Sequence, residues 1–176
     1  MLKEYYIRRP QLVDCNRLAK CMRQEDRQEC WDNGHSPFRA LTKALNNAES
    51  STYMLVCVTS PQDGVIDERV VGMWGAGLIK GEGIIWSLWS TLELSDKRFI
   101  WKWMTPWIRR CMKDVGIKQA HNVVWSDNRI AMEWIERSGC FELDLKDATM
   151  LNGRMYFRFH TKPDLIERVL SKEDPS

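Results

Sequence analysis

Apolar residues along this chain recur at two alternating spacings, and each change of spacing marks a predicted element. Tyr5-Tyr6-Ile7-Arg8-Arg9 reads as a short strand, stopped by Pro10. Leu12, Cys15, Leu18, Ala19 and Met22 then share one face at helical spacing, with Asp14 in the first turn, where a negative charge favours the positive helix end. The polar run Glu25-Asp26-Arg27-Gln28-Glu29 either continues this helix or bends it, and Asn33-Gly34 is a stop signal. Ser36-Pro37 caps and opens a further helix whose stripe is Phe38, Leu41, Ala44 and Leu45.

A strand-rich stretch follows. Thr52–Val58, Arg69–Ala76 and Ile84–Trp89 are apolar and β-branched, with turn signals at 60–64 and 81–83, which fits a hairpin meander. The glycines of the second strand predict a bulge or a close backbone approach. From Asp96 to Val115 the spacing is helical again, with Phe99, Trp103, Trp107, Ile108 and Cys111 near one face. Pro106 removes one backbone donor there, so a kink or break is expected. His121–Trp125 reads as a strand, Ser126-Asp127-Asn128 as a loop and cap, and Ile130, Ala131, Trp134 and Ile135 as the stripe of a short helix. Two strands, Phe141–Leu145 and Met155–His160, are joined by a turn at Asn152-Gly153, and a last helix is expected from Pro163 to Leu170. The order β-α-α-β-β-β-α-β-α-β-β implies one α/β domain over residues 1–170, its sheet covered by helices on both faces. Residues 171–176 carry no large apolar side chain and are expected to form a flexible tail.

Composition narrows the classes. The 176 residues suit one domain, and 44% hydrophobic with 28% charged residues is ordinary for a globular chain. A net charge of +2 gives no global attraction to nucleic acid or membrane, so either role needs a local patch. No apolar run approaches the roughly 20 residues of a membrane span. The six cysteines form no C-x-x-C pair, which predicts free, mostly buried thiols in a reducing compartment and no metal site. Nine tryptophans exceed what one small core comfortably buries, so some are expected at the surface as anchors.

The segment from Ser126-Asp127-Asn128 through Arg137-Ser138-Gly139-Cys140-Phe141 resembles that of GNAT acetyltransferases, in which an Asn opens a helix and a Lys/Arg-x-Gly-Phe turn closes it; here Cys140 is interposed. The element order is similar too. This resemblance implies a single GNAT-like domain with a mixed, mainly antiparallel central sheet. It also implies acetyl-CoA held on a glycine-containing loop at the start of the preceding helix, with pyrophosphate oxygens on helix N-terminal amides. At the matching stretch, Ser95–Lys102, Phe99 and Trp101 stand at two glycine positions and Asp96 near the usual Arg or Gln. The loop therefore reads as degenerate, with no cofactor expected. For a chain that keeps acetyl-CoA, the candidates are Lys97 and Arg98, which attract anions, and Asn128, which serves equally as a helix cap.

A second resemblance covers more of the chain. Ile7-Arg8-Arg9-Pro10, Asp14, Leu18 through Glu29, Ile85 through Thr91, and the helix opening near Arg98-Phe99 resemble a family of T7-like phage internal virion proteins. It implies a virion-associated or assembly protein that binds other particle proteins through a non-catalytic GNAT-like fold, located in the host bacterial cytoplasm during infection or in the virion. Two alternatives stay open: an active N-acetyltransferase, and a host-takeover factor acting on a bacterial protein or nucleic acid.

Candidate chemistry is sparse. Glu93, just past the third meander strand, is a candidate general base acting through water, or else a solvated loop carboxylate. Tyr156 is a candidate proton donor, or else a buried ring with a satisfied hydroxyl. Lys97, Arg98, Lys102, Arg109, Arg110, Lys113 and Lys118, interleaved with tryptophans, read as a nucleic-acid surface or as the solvated face of an amphipathic helix. Trp31 and Trp101, with Arg109 and Arg110, are the candidate anchors for another protein.

Overall fold

A computed structural model describes residues 2–60 and 67–163. β1 (Leu2–Arg8) is followed by α1 (Leu12–Cys21), α2 (Gln24–Asp32) and α3 (Pro37–Asn46). β2 (Ser50–Ser60), β3 (Asp67–Ile79) and β4 (Glu82–Trp89) form the meander. Then come α4 (Leu94–Val115), β5 (His121–Trp125), α5 (Arg129–Arg137), β6 (Phe141–Leu151) and β7 (Arg154–Thr161). The expected turn at 60–64, final helix at 163–170 and tail at 171–176 fall on or run into residues outside the described ones.

All seven strands join one sheet in the order β1-β2-β3-β4-β5-β7-β6. Every neighbouring pair is antiparallel except β4 and β5, which are parallel. This is the single α/β domain with a mixed, mainly antiparallel sheet that the resemblance implied. Period-two alternation along β2 splits its side chains between two cores. Tyr53, Leu55 and Cys57 pack with Ile100, Trp107, Ile108, Cys111 and Met112 of α4. Met54 and Val56 pack with Cys15, Leu18, Cys30 and Leu41 of α1–α3. Five of the six cysteines are buried free thiols, and Cys21 is exposed.

The expected glycine effects both occur in β3. The register passes from Val56↔Val70 to Leu55↔Gly72, so Val71 is an extra, bulged residue. Gly72 lies opposite Trp89, and a Cβ there would stand 2.1 Å from the indole Cε3. Only a glycine leaves that ring its seat. Tyr53, Trp74 and Trp89 consequently stack across three adjacent strands at 6.0 and 6.2 Å, and Trp107 of α4 stacks on Trp74 at 4.5 Å.

Two expectations need correction. The polar run at 25–29 belongs to a separate helix, α2, because the chain is turned before it by distant contacts. Met22 bridges Ser90, and the Arg23 amide donates to Trp89 O at 3.0 Å. Of the kink or break expected at Pro106, the break does not occur, since α4 is helical on both sides of it. An interior proline costs about 3 kcal/mol. Ile100 before it and Trp107, Ile108, Cys111 and Met112 after it are all buried on one core, at about 1.5–3 kcal/mol each, so packing prevails.

Candidate functional site

β4 and β5 meet at a single residue pair, Ile84↔His121. Beyond it the Asn122 side chain donates to Ile85 O at 2.7 Å, taking the place of a ladder bond, and the strands part. A cavity of about 640 Å³ opens in the gap and reaches from α2 and α3 on one face to α4 and α5 on the other. Its walls are largely aromatic and aliphatic, with Trp86, Trp89, Trp107 and Trp134 among them. A concave, mostly apolar space with a few polar groups is the usual form of a small-molecule site.

Two of those polar groups, Asp26 and Glu29, come from α2. Asp26 Oδ2 accepts the Trp89 amide of β4 at 2.6 Å, and Glu29 Oε1 accepts the Trp125 amide of β5 at 3.2 Å. Two carboxylates three residues apart on one helix face therefore staple the parted strand ends. Arg23 pairs with Asp26 at 2.6 Å, and Asn128 Nδ2 donates to Glu29 Oε1 at 2.8 Å. Burial, then the neighbouring Asp26 charge, pushes the Glu29 carboxyl up to about 7. Burial also pushes Asp26 up, against the pull of Arg23. Glu29 keeps some accessible surface because it lines the cavity. Sequence reading had these residues only as a charged run. The spacing of Arg23, Asp26 and Glu29, all on the face that carries buried Cys30, was the available signal.

The N-terminus of α4 is where a diphosphate cradle would lie. Glu93 is its N-cap and forms a reciprocal capping box with Asp96, whose Oδ2 accepts the Glu93 amide at 2.8 Å. Asp96 is fully buried, and its Oδ1 also accepts from Arg69 at 2.8 Å and from the Tyr5 hydroxyl at 2.9 Å. Glu93 pairs with Lys3. The positive end of this helix is thus already met by two carboxylates from its own first turn. An acidic turn with an amide committed to a carboxylate does not fit a diphosphate.

The remaining candidates are dispersed. Phe99 is turned toward β1, stacked on Tyr5 at 4.3 Å, so its ring fills the core side rather than covering the amides. Lys97 and Arg98 are exposed beside the turn. Trp101 is 46% exposed and meets Trp134 edge-on at 6.2 Å. Trp31 is 55% exposed at the end of α2. Arg110 lies over the Tyr53 ring, its Nε donating to that hydroxyl at 2.9 Å, and Arg109 is half-buried. Tyr156 is fully buried and donates to Asp32 at 2.8 Å; burial, then that bond, pushes its phenol far up, which disfavours proton transfer near neutral pH. Asn128 caps α5, its Oδ1 accepting the Ala131 amide at 3.3 Å, while it also lines the cavity. Among the described residues no metal-holding group of side chains occurs, and no helix is long and apolar enough to cross a membrane.

No family model matches the chain, and no curated protein matches it in sequence. Solved structures do match. A Vibrio cholerae spermidine N-acetyltransferase chimera superposes with a TM-score of 0.60 at 13% identity, over 96% of this chain and 99% of that one. An aminoglycoside acetyltransferase AAC(6')-Ib in complex with coenzyme A gives 0.62 at 13% identity, over 95% and 99%. A GNAT-family acetyltransferase from Bacillus anthracis gives 0.61 at 9% identity, over 91% and 95%. The chain has the GNAT acetyltransferase fold. At such identities the likeness concerns the fold alone, and activity has to be argued from the site. The resemblance to T7-like internal virion proteins gains no support from these comparisons.

Proposed function

We propose that this GNAT-fold chain works by binding rather than by acyl transfer, and that its partners are proteins of a phage particle or of its assembly. The observation that carries the reading is the acid-capped first turn of α4, where Asp96 and Glu93 occupy the end that a thioester cofactor's diphosphate would need. Exposed indoles at Trp31 and Trp101 supply anchor surface of the kind enriched at protein interfaces. The phage assignment rests on the sequence resemblance and places the chain in the infected host's cytoplasm or in the particle. Mass spectrometry of purified particles and assembly intermediates is expected to find the chain in at least one of them. Absence from both contradicts the assembly reading.

A second reading is an N-acetyltransferase, the activity named for the structural neighbours. One feature of this chain favours it: Glu29, half ionised near neutral pH on the cavity wall, is suited to take a proton from a bound amine. Against it, Oε1 of that carboxylate already receives the Trp125 and Asn128 N–H groups. This reading requires coenzyme A to bind despite the acidic turn.

A further inference from the structure

We infer that the pocket between the end of α1, the start of β3 and the end of β4 binds a phosphate monoester group. The pocket has a volume of about 450 Å³, and its walls include Lys20, Cys21, Arg27, Arg69, Ser90 and Thr91 but no acidic residue. It shares no lining residue with the cavity between β4 and β5. It lies on the β3 side of β4, where the Ser90 amide and hydroxyl both donate to Val71 O at 2.9 Å. Three cations from three separate segments thus converge on one concave space. Lys20 ends α1, Arg27 belongs to α2, and Arg69 opens β3.

Both guanidiniums are held from behind. Arg27 closes the end of α1: its Nε donates to Met22 O at 3.1 Å, and its Nη2 donates to Ala19 O at 2.7 Å and Lys20 O at 3.0 Å. Arg69 Nη2 donates to the two Asp96 oxygens at 2.8 and 2.9 Å. Among the described residues, Nη1 of Arg27 and Nε and Nη1 of Arg69 keep no hydrogen-bond partner. Burial pushes the Cys21 thiol up, while the Arg69 and Arg27 charges pull it down, so both guanidiniums stand close to one sulfur. Donors fixed by other contacts lose little freedom when an anion arrives. Thr91, exposed at the rim, adds a hydroxyl. Positive charge alone does not choose an anion, but this set does. A phosphate monoester brings nearly two charges and three acceptor oxygens, and a carboxylate brings one charge and two. Arginine is the side chain that meets phosphate with paired N–H groups. The volume lies in the range of roughly 300–1,000 Å³ typical of small-molecule sites, which leaves room for the ester's organic part.

Two-dimensional amide NMR titration of the full chain with sodium phosphate, at constant ionic strength and neutral pH, tests the inference. Saturable shifts are expected at Lys20, Cys21 and Thr91, with half-saturation between about 1 and 10 mM. Lys20→Glu, a change at an exposed position, should weaken binding about tenfold or more, the worth of one charge-assisted contact. Arg69→Lys, which keeps a charge beside Asp96 but loses the fork, should weaken it as well. Sodium acetate should leave these amides unmoved. Tighter binding of a phosphoserine peptide than of glucose 6-phosphate assigns the group to a protein partner, and the reverse assigns it to a free metabolite. Lys97 and Arg98 do not line this pocket, so the outcome is independent of any coenzyme A binding at α4. Absence of shifts at these residues, equal shifts with acetate, or binding unchanged in Lys20→Glu would each overturn the inference.

Discussion

Asp96→Ala is expected to lower the unfolding free energy by about 3–5 kcal/mol, the usual cost of breaking a buried ion pair from one side. The carboxylate accepts from Arg69, the Tyr5 hydroxyl and the Glu93 amide, and it is fully buried. Its loss leaves a part-buried guanidinium with only the longer 3.5 Å contact to Glu93, and removes the half of the α4 capping box that accepts the Glu93 amide. For a chain of this size each kcal/mol lowers the melting temperature by about 2–4 °C, so a drop of roughly 10 °C is expected in a thermal scan. Asp96→Asn, which keeps one acceptor for the Glu93 amide, should lose less. A loss below about 1 kcal/mol for Asp96→Ala would mean that this carboxylate is not committed to the fold and is free to be displaced by a ligand.

Glu29→Gln is expected to change how stability depends on pH. The native carboxyl holds its proton up to about 7, whereas the unfolded one releases it near 4.5. Between these values the native state binds more protons than the unfolded state, so stability falls as pH rises through the window. The penalty is complete above pH 8 and absent below pH 4. Its upper bound from the shift is about 3 kcal/mol, and the partial exposure of Glu29 lowers the expected effect to about 1–2 kcal/mol. A neutral Gln can still accept the Trp125 and Asn128 N–H groups. Denaturant unfolding should therefore show the variant more stable than the parent at pH 8 and equal to it at pH 4.5. Equal curves at both values would show that Glu29 titrates normally and would remove the observation that favours an enzyme.

Much of the fold was legible because its signals are local. The Asn152-Gly153 turn takes positive φ at both residues, as an Asn-Gly hairpin requires, and most of each stripe of α1, α3 and α5 packs on a core, while Leu12, Phe38 and Ile130, expected in those stripes, lie at the exposed edge of their helices. What was hidden depends on contacts between distant segments. The separation of α1 from α2 is made by Trp89 and Ser90, more than sixty residues away. The role of Asp26 and Glu29 as staples appears only once β4 and β5 part above them. At the α4 opening the side-chain directions were not legible. Phe99 turns into the core, and it is the acid pair Glu93 and Asp96 that occupies the helix end. Residue type at 99 was readable; its direction was set by Tyr5, a contact no local pattern shows.

The question that matters most is whether the first turn of α4 receives a diphosphate. Calorimetric titration of the chain with coenzyme A at neutral pH answers it. The expected result is no saturable heat up to millimolar ligand, because the turn offers carboxylates where phosphates would sit. Micromolar binding that disappears in the Lys97→Ala/Arg98→Ala variant would contradict this and make the chain a transferase.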